Sequence, residues 1–126
     1  MCIRDSGIAA VQDPDLLRHL AENEITLDVC PTSNVALKVV PDLASHPLPA
    51  LVAAGVPVSI STDDPPMFGT DLNREYAVAA ELLDLDEAGM ARLARAAVDA
   101  AFVDDVYRTE LRGEIDAYVA EWNATT

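Results

Sequence analysis

Apolar residues gather into short β-prone runs in one part of the chain and recur at helical spacing in the rest. Residues 25–30 and 56–62 are two such runs, and each predicts a buried strand. A helix is predicted from residue 14 to about residue 24, because Asp13 is a typical N-cap ahead of a proline and a leucine stripe. A short helix over 48–54 separates the strands, and strand, helix and strand at this spacing predict the right-handed βαβ unit of a parallel sheet.

The remainder is predicted to be an irregular loop over 35–47 and three amphipathic helices near the end of the chain. Their apolar stripes run over 72–83, 90–101 and 107–122. We expect the aromatic residues to be core residues rather than a stack for a ligand. Two parallel strands leave both sheet edges unpaired and one face hard to cover, so the chain is predicted to be part of a larger fold. Without that larger fold, the stripes of the last helices are expected to be exposed.

The charge balance is strongly acidic. The 126 residues include 8 Lys and Arg against 22 Asp and Glu, a formal net charge of −14. The basic residues are scattered, so we expect no nucleic-acid partner, because a polyphosphate needs clustered positive charge. No apolar run approaches the ~20 residues of a membrane helix. No stretch of signal-peptide type opens the chain, which predicts no membrane partner and a cytoplasmic location.

Two adjacent carboxylates, Asp63 and Asp64, follow the second predicted strand. The carboxyl ends of parallel strands are where α/β sheets and barrels place their sites. Pro65 biases Asp64 toward an extended backbone, so the two carboxylates are expected to point in different directions. One of them can then hold a metal while the other addresses a ligand. The alternative is a simple loop with helix caps.

Other metal-ligating residue types are sparse. Cys30 has no second Cys or His at ligand spacing, which favours a buried structural thiol. His46, directly before Pro47, is expected to bond local backbone, and His19 lies within a predicted amphipathic helix. The sequence has no His-x-His and no Cys-x-x-Cys motif, so we do not expect this chain to build a complete zinc site by itself.

Five motifs occur in order: residues 30–35 (CPTSNV), His46-Pro47, residues 55–58 (GVPV), residues 62–70 (TDDPPMFGT) and Glu75-Tyr76. Together they resemble the carboxyl-terminal part of the adenosine deaminase family, with a similarity that runs from about Gly7 to about Tyr118. The resemblance implies an α/β fold, namely the carboxyl-terminal portion of a (β/α)8 TIM barrel with two parallel strands and flanking helices. It also implies zinc-dependent hydrolysis of adenosine or deoxyadenosine to inosine or deoxyinosine and ammonia.

The resemblance implies a role for each of the paired acids. Asp63 matches the family's aspartate that binds zinc and touches the catalytic water, and Asp64 matches the aspartate that hydrogen-bonds a purine ring nitrogen. The family's other zinc ligands and its proton-shuttling glutamate belong to an amino-terminal half that this sequence does not contain. The implied partners are therefore a purine nucleoside substrate, Zn2+ and that missing half of the barrel. We expect no complete catalytic set and no activity in the isolated chain.

The first residues depart from the family pattern. Ser6 stands where the family has a catalytic histidine directly before the glycine that matches Gly7. We therefore expect residues 1–6 to be unmatched and non-native. Residues 7–126 are predicted to be the deaminase-like part of a barrel domain.

Other functions are open at this stage. Adenine deaminase and other purine-derivative deaminases of the same superfamily share the Asp-Asp-Pro loop, although residues 68–70 favour a nucleoside substrate. In a different class, the chain could be a non-catalytic acidic interaction module or a receiver-like α/β domain. Lys38 is the only lysine and precedes the acid pair, which argues against a receiver domain.

Overall fold

The computed structural model describes residues 7–126, and the expectation for residues 1–6 lies outside that range. The described chain forms a 3-10 helix, two strands and seven α-helices. In order, they are the 3-10 helix Gly7–Gln12, α1 Pro14–Glu22, β1 Leu27–Val29, α2 Pro31–Ala36, α3 Leu48–Ala53, β2 Val58–Ile60, α4 Pro65–Phe68, α5 Leu72–Leu83, α6 Glu87–Ala100 and α7 Asp105–Thr125.

The two strands form the predicted parallel pair, with Leu27 opposite Val58 and Val29 opposite Ile60. These four side chains belong to the hydrophobic core, because alternate residues of a strand point to the same face of the sheet. The opposite face is polar, since Asp28 on β1 accepts hydrogen bonds from serines of β2 and of the residues just after it. The core continues into the helices and the 3-10 helix through Ile8, Leu20, Leu48, Leu51, Ala79 and Leu93.

Aspartates begin most of the helices. The residue ahead of α1, α4, α5, α6 and α7 is an aspartate whose side chain accepts a hydrogen bond from a backbone N–H of the first turn. Such a cap satisfies donors that the helix itself leaves unpaired. Part of the acid excess is therefore structural. The caps are Asp13, Asp64, Asp71, Asp86 and Asp104.

Helix α2 was not predicted from the sequence, which assigns no helix to residues 31–36. Its residues Thr32, Ser33, Asn34 and Val35 are poor helix formers, and its N-cap Cys30 makes no side-chain cap hydrogen bond. Tertiary contacts therefore stabilise this helix. The predicted helix before Gly55 is present as α3. The short helix α4 was not predicted from the sequence.

The expectation that the aromatic residues are core residues was wrong for the end of the chain. Phe102 is 93% exposed, Tyr118 69% and Trp122 45%, and none of the residues of α7 is buried. Within residues 7–126, no element covers the outer side of α7. The expected exposure of the last apolar stripes is confirmed for α7 only, because Ala79 on α5 and Leu93 on α6 are buried.

Helices α6 and α7 are joined by arginine side chains. The Arg108 guanidinium donates to the carbonyls of Val98, Asp99, Ala101 and Val103 around the turn between the helices. Arg112 pairs with the Asp99 carboxylate at 2.5 Å. Both guanidinium groups are therefore engaged by partners within residues 7–126. In residues 7–126, no helix is long and apolar enough to cross a membrane.

Candidate functional site

The two segments that follow the strands meet at one edge of the sheet. Because β1 and β2 are parallel, their carboxyl ends lie side by side, and α2 begins beside the loop that leaves β2. The Ser33 hydroxyl, on α2, donates a hydrogen bond of 2.8 Å to Oδ2 of Asp63. The structure therefore brings both sequence-predicted segments together around Asp63.

Asp63 has a strained backbone and a carboxylate with one oxygen free. Its φ of 60° lies in the left-handed region, which costs a non-glycine residue about 1–2 kcal/mol. Such strain is concentrated at functional sites, where the surrounding structure maintains it. The side chain is exposed, and within residues 7–126 only Oδ2 accepts a hydrogen bond, from Ser33. Its other carboxylate oxygen, Oδ1, is therefore available to bind a cation.

Asp64 points to a different partner. Its backbone is extended, with φ −109° and ψ 92°, as expected of a residue before Pro65. Its Oδ1 accepts a hydrogen bond of 3.1 Å from the backbone N–H of Met67 and so caps α4. The predicted divergence of the two carboxylates is confirmed, and the alternative of a helix cap is also correct for Asp64. Its second oxygen makes no hydrogen bond within residues 7–126.

Glu75 is a buried residue of this site. From the sequence it was identified only as part of the Glu75-Tyr76 motif. Its side chain on α5 has 0% exposure. Oε2 accepts a hydrogen bond of 3.1 Å from the backbone N–H of Thr32, and Oε1 accepts one of 2.5 Å from the Thr70 hydroxyl. The available signal was its position three residues after Leu72 and four before Ala79, which places a carboxylate on the apolar face of the helix.

His46 is also buried, with 4% exposure. Its Nδ1 accepts from the backbone N–H of Leu48 at 3.1 Å, and this leaves Nε2 as the donor to Oδ1 of Asn34 at 3.0 Å. Burial lowers the pKa of this imidazole, and the nearby Glu75 carboxylate opposes the shift to a smaller extent. The expected bond to local backbone is confirmed, and the ring is held as a neutral structural group.

Cys30 and His19 are the remaining residues that the sequence singled out. Cys30 is buried at 4% exposure, as expected of a structural thiol. His19 lies on α1, where its ring contacts the Asn23 side chain at 3.2 Å. An apolar groove of about 740 Å3 between α6 and α7 is lined by other residues, among them Met90, Ile115 and Trp122.

The described residues do not form a metal centre by themselves. Within residues 7–126, no group of three or more His, Cys, Asp or Glu side chains is arranged to hold a metal ion. Catalytic zinc sites need three protein ligands and one open position. Asp63 fits one of those ligands, because Ser33 fixes one carboxylate oxygen and the other is unobstructed by hydrogen bonds.

Residues 4–118 match the family model described as adenosine deaminase. The chain is 56% identical over 118 residues to the aminodeoxyfutalosine deaminase of Streptomyces avermitilis, covering 94% of this chain and 33% of that protein. It is 51% identical over 105 residues to the adenine deaminase of Chelativorans sp., covering 83% of this chain and 32% of the relative. The chain thus spans about a third of the length of these curated relatives.

Solved structures agree with this match. The crystal structure of an adenine deaminase from Arthrobacter aurescens superposes with a TM-score of 0.85 at 33% identity, over 92% of this chain and 36% of that one. An amidohydrolase from Burkholderia ambifaria, crystallised with bound Zn, superposes with a TM-score of 0.78 at 24% identity, over 95% of this chain and 35% of that one, and shows the fold. The fold is the predicted carboxyl-terminal portion of a TIM barrel, and the receiver-like alternative is not supported. The chain belongs to the adenosine deaminase family.

Proposed function

We propose that this segment provides two active-site carboxylates to an enzyme that removes the six-amino group of a purine by zinc-assisted hydrolysis. The supporting observation is the Asp63 carboxylate at the carboxyl end of β2, with Oδ2 held by Ser33 and Oδ1 open. Family membership makes hydrolytic deamination the reaction class. The missing ligands would come from the remaining two thirds of the barrel.

Asp63, whose Oδ2 accepts a hydrogen bond from Ser33, is proposed as the residue of this chain that would hold zinc. Zinc, when bound, lowers the pKa of water to roughly 7 and so makes a nucleophile available at neutral pH. The fixed Asp63 carboxylate would orient a water toward the six-carbon of the purine. Water adds to this carbon and ammonia leaves.

Asp64 is proposed to face a ring nitrogen of the purine. A carboxylate in this position favours the protonated ring, which makes the neighbouring six-carbon more electrophilic. Its backbone directs it away from Asp63, and one of its oxygens is occupied by the α4 cap. The second oxygen is the one available to the ring.

The choice of purine rests on the relatives. The aminodeoxyfutalosine deaminase is both more similar and matched over more of this chain than the adenine deaminase. Aminodeoxyfutalosine is therefore our first candidate substrate and adenine the second. Adenosine and deoxyadenosine, which the sequence motifs favour, complete the set.

The test uses a fused enzyme, in which the first two thirds of the Streptomyces avermitilis relative precede residues 7–126 of this chain. The purified, zinc-loaded protein is assayed for ammonia release from all four candidate substrates. We expect the highest kcat/KM with aminodeoxyfutalosine. A folded, zinc-containing fused enzyme that releases ammonia from none of them contradicts the proposal, and a preference for adenine selects the second candidate.

A further inference from the structure

We infer that Glu75 is a positioning residue that fixes the direction of the Asp63 carboxylate. It does so by holding α2 against the loop that carries the acid pair. This inference deepens the proposed function and rests on it for the role of Asp63 as a zinc ligand. The geometry itself is independent of that role.

Glu75 accepts a hydrogen bond from each of the two segments that follow the strands. One carboxylate oxygen accepts from the backbone N–H of Thr32, at the start of α2, over 3.1 Å. The other accepts from the hydroxyl of Thr70, at the far end of the loop after β2, over 2.5 Å. A single side chain on α5 thus connects the two loops at the carboxyl edge of the sheet.

The connection reaches Asp63 through Ser33. Ser33 directly follows Thr32 and is 2% exposed, so its hydroxyl has little freedom to turn. It donates to Oδ2 of Asp63 over 2.8 Å. Together these contacts close a ring from Glu75 through α2 to Asp63 and back along the loop to Thr70.

Burial of Glu75 argues for a purpose beyond packing. A carboxylate taken out of water is costly unless it is paired or hydrogen-bonded. Within residues 7–126, Glu75 forms no ion pair with Lys, Arg or His, and its hydrogen bonds come from neutral donors. An apolar residue would serve the core at least as well, whereas a side chain that ends in two hydrogen-bonding groups can hold both loops.

Two substitutions separate this role from simple packing. Glu75→Leu fills a similar volume and removes both acceptors. Glu75→Gln keeps both contacts, because its amide oxygen can accept from Thr32 and its NH2 group can donate to the Thr70 hydroxyl. Leu51→Ala is the matched control, since this fully buried core residue belongs to none of the hydrogen bonds of the ring.

The first measurement uses NMR on the 126-residue chain. In Glu75→Leu we expect the amide exchange of Thr32 to accelerate about tenfold, the equivalent of one lost hydrogen bond. We expect the order parameter of the Asp63 side chain to fall toward the flexible range, below about 0.6. Glu75→Gln should keep both values, and Leu51→Ala should keep the order parameter. Thr70→Val, which removes one donor only, should shift both in the same direction by less and serves if Glu75→Leu does not fold.

The second measurement is zinc affinity of the fused enzyme, determined by competition with a chelator. Loss of a group that orients a ligand typically weakens metal binding about 10–100-fold, which we expect for Glu75→Leu and not for Glu75→Gln or Leu51→Ala. Wild-type order and affinity in Glu75→Leu, or an equal loss in Leu51→Ala, would overturn the inference. A wild-type fused enzyme that binds no zinc would instead overturn the proposed function, and the NMR result would then decide the positioning role.

Discussion

The hydroxyl of Ser33 and the carboxylate of Asp63 lie 2.8 Å apart although 30 residues separate them in sequence. The chain contains a second hydrogen bond of nearly identical form, from the Ser59 hydroxyl to the Asp28 carboxylate, also 2.8 Å long and spanning 31 residues. The first lies at the carboxyl edge of the sheet and the second on its polar face. This pair provides an internal comparison.

Ser33→Ala in the fused enzyme is expected to weaken zinc binding about 10–100-fold, because Asp63 loses the donor that orients it. Ser59→Ala is expected to leave zinc affinity unchanged and to lower the free energy of unfolding by about 1 kcal/mol. Chelator competition and urea denaturation of both variants provide the measurements. Equal zinc affinity in the two variants would show that the Ser33 contact is only structural.

Substitutions of Asp63 and of Asp64 are expected to impair different properties of the fused enzyme. Asp63→Ala should abolish zinc binding by the fused enzyme. Asp64→Asn should retain zinc, and it should also retain α4, because Asn caps helices as well as Asp does. Its kcat should fall about 10²–10⁴-fold, the usual contribution of a positioned proton-transfer group. Zinc analysis and steady-state kinetics check both results, and loss of zinc in Asp64→Asn would contradict the division of roles.

The isolated chain is expected to be inactive. The described residues lack a group of three metal ligands, so zinc has too few partners without the rest of the barrel. The assay is ammonia release by the purified, zinc-supplemented 126-residue chain at concentrations where the fused enzyme is active. Deamination by the isolated chain would refute this expectation.

Stability is expected to decrease as pH falls below about 6.5, because of His46. Burial places its pKa in the folded chain below the ordinary value of 6.5, so the unfolded chain takes up a proton that the folded chain does not. The contribution is fully present above pH 6.5 and is lost as pH falls toward the folded pKa. Urea denaturation at about pH 7.5 and about pH 5.5 measures the difference. His46→Gln should reduce it.

Substitution by Ala is expected to have opposite effects on stability at Gly69 and at Gly113. Neither Gly69 nor Gly113 has a neighbouring atom within 4 Å of an added Cβ, so steric contact is equal. Gly69 has φ +64°, where a side chain costs about 1 kcal/mol, so Gly69→Ala should destabilise the chain. Gly113 lies inside α7, where Ala is favoured by about 0.5–1 kcal/mol. Chemical denaturation should show shifts of opposite sign.

The sequence by itself determined the elements whose signals are local. The Asp13-Pro14 start of α1, the two apolar strand runs and the stripes of the last three helices depend on spacing and capping chemistry, so each was predicted to within a few residues. The motifs around Asp63 and Asp64 also identified the family. The divergence of the two carboxylates followed from Pro65.

Tertiary structure decided what no local signal encodes. Residues 32–35 of α2 are poor helix formers, and the backbone N–H of Thr32 donates to Glu75, a residue 43 positions away in sequence. The contacts of Ser33 with Asp63 and of Asp28 with Ser59 arise only when the parallel strands pair. Exposure of Phe102 and Trp122 depends on which surfaces other elements cover, and the hydrophobicity of the two side chains does not predict it. These features are long-range contacts, which emerge from packing rather than from neighbouring residues.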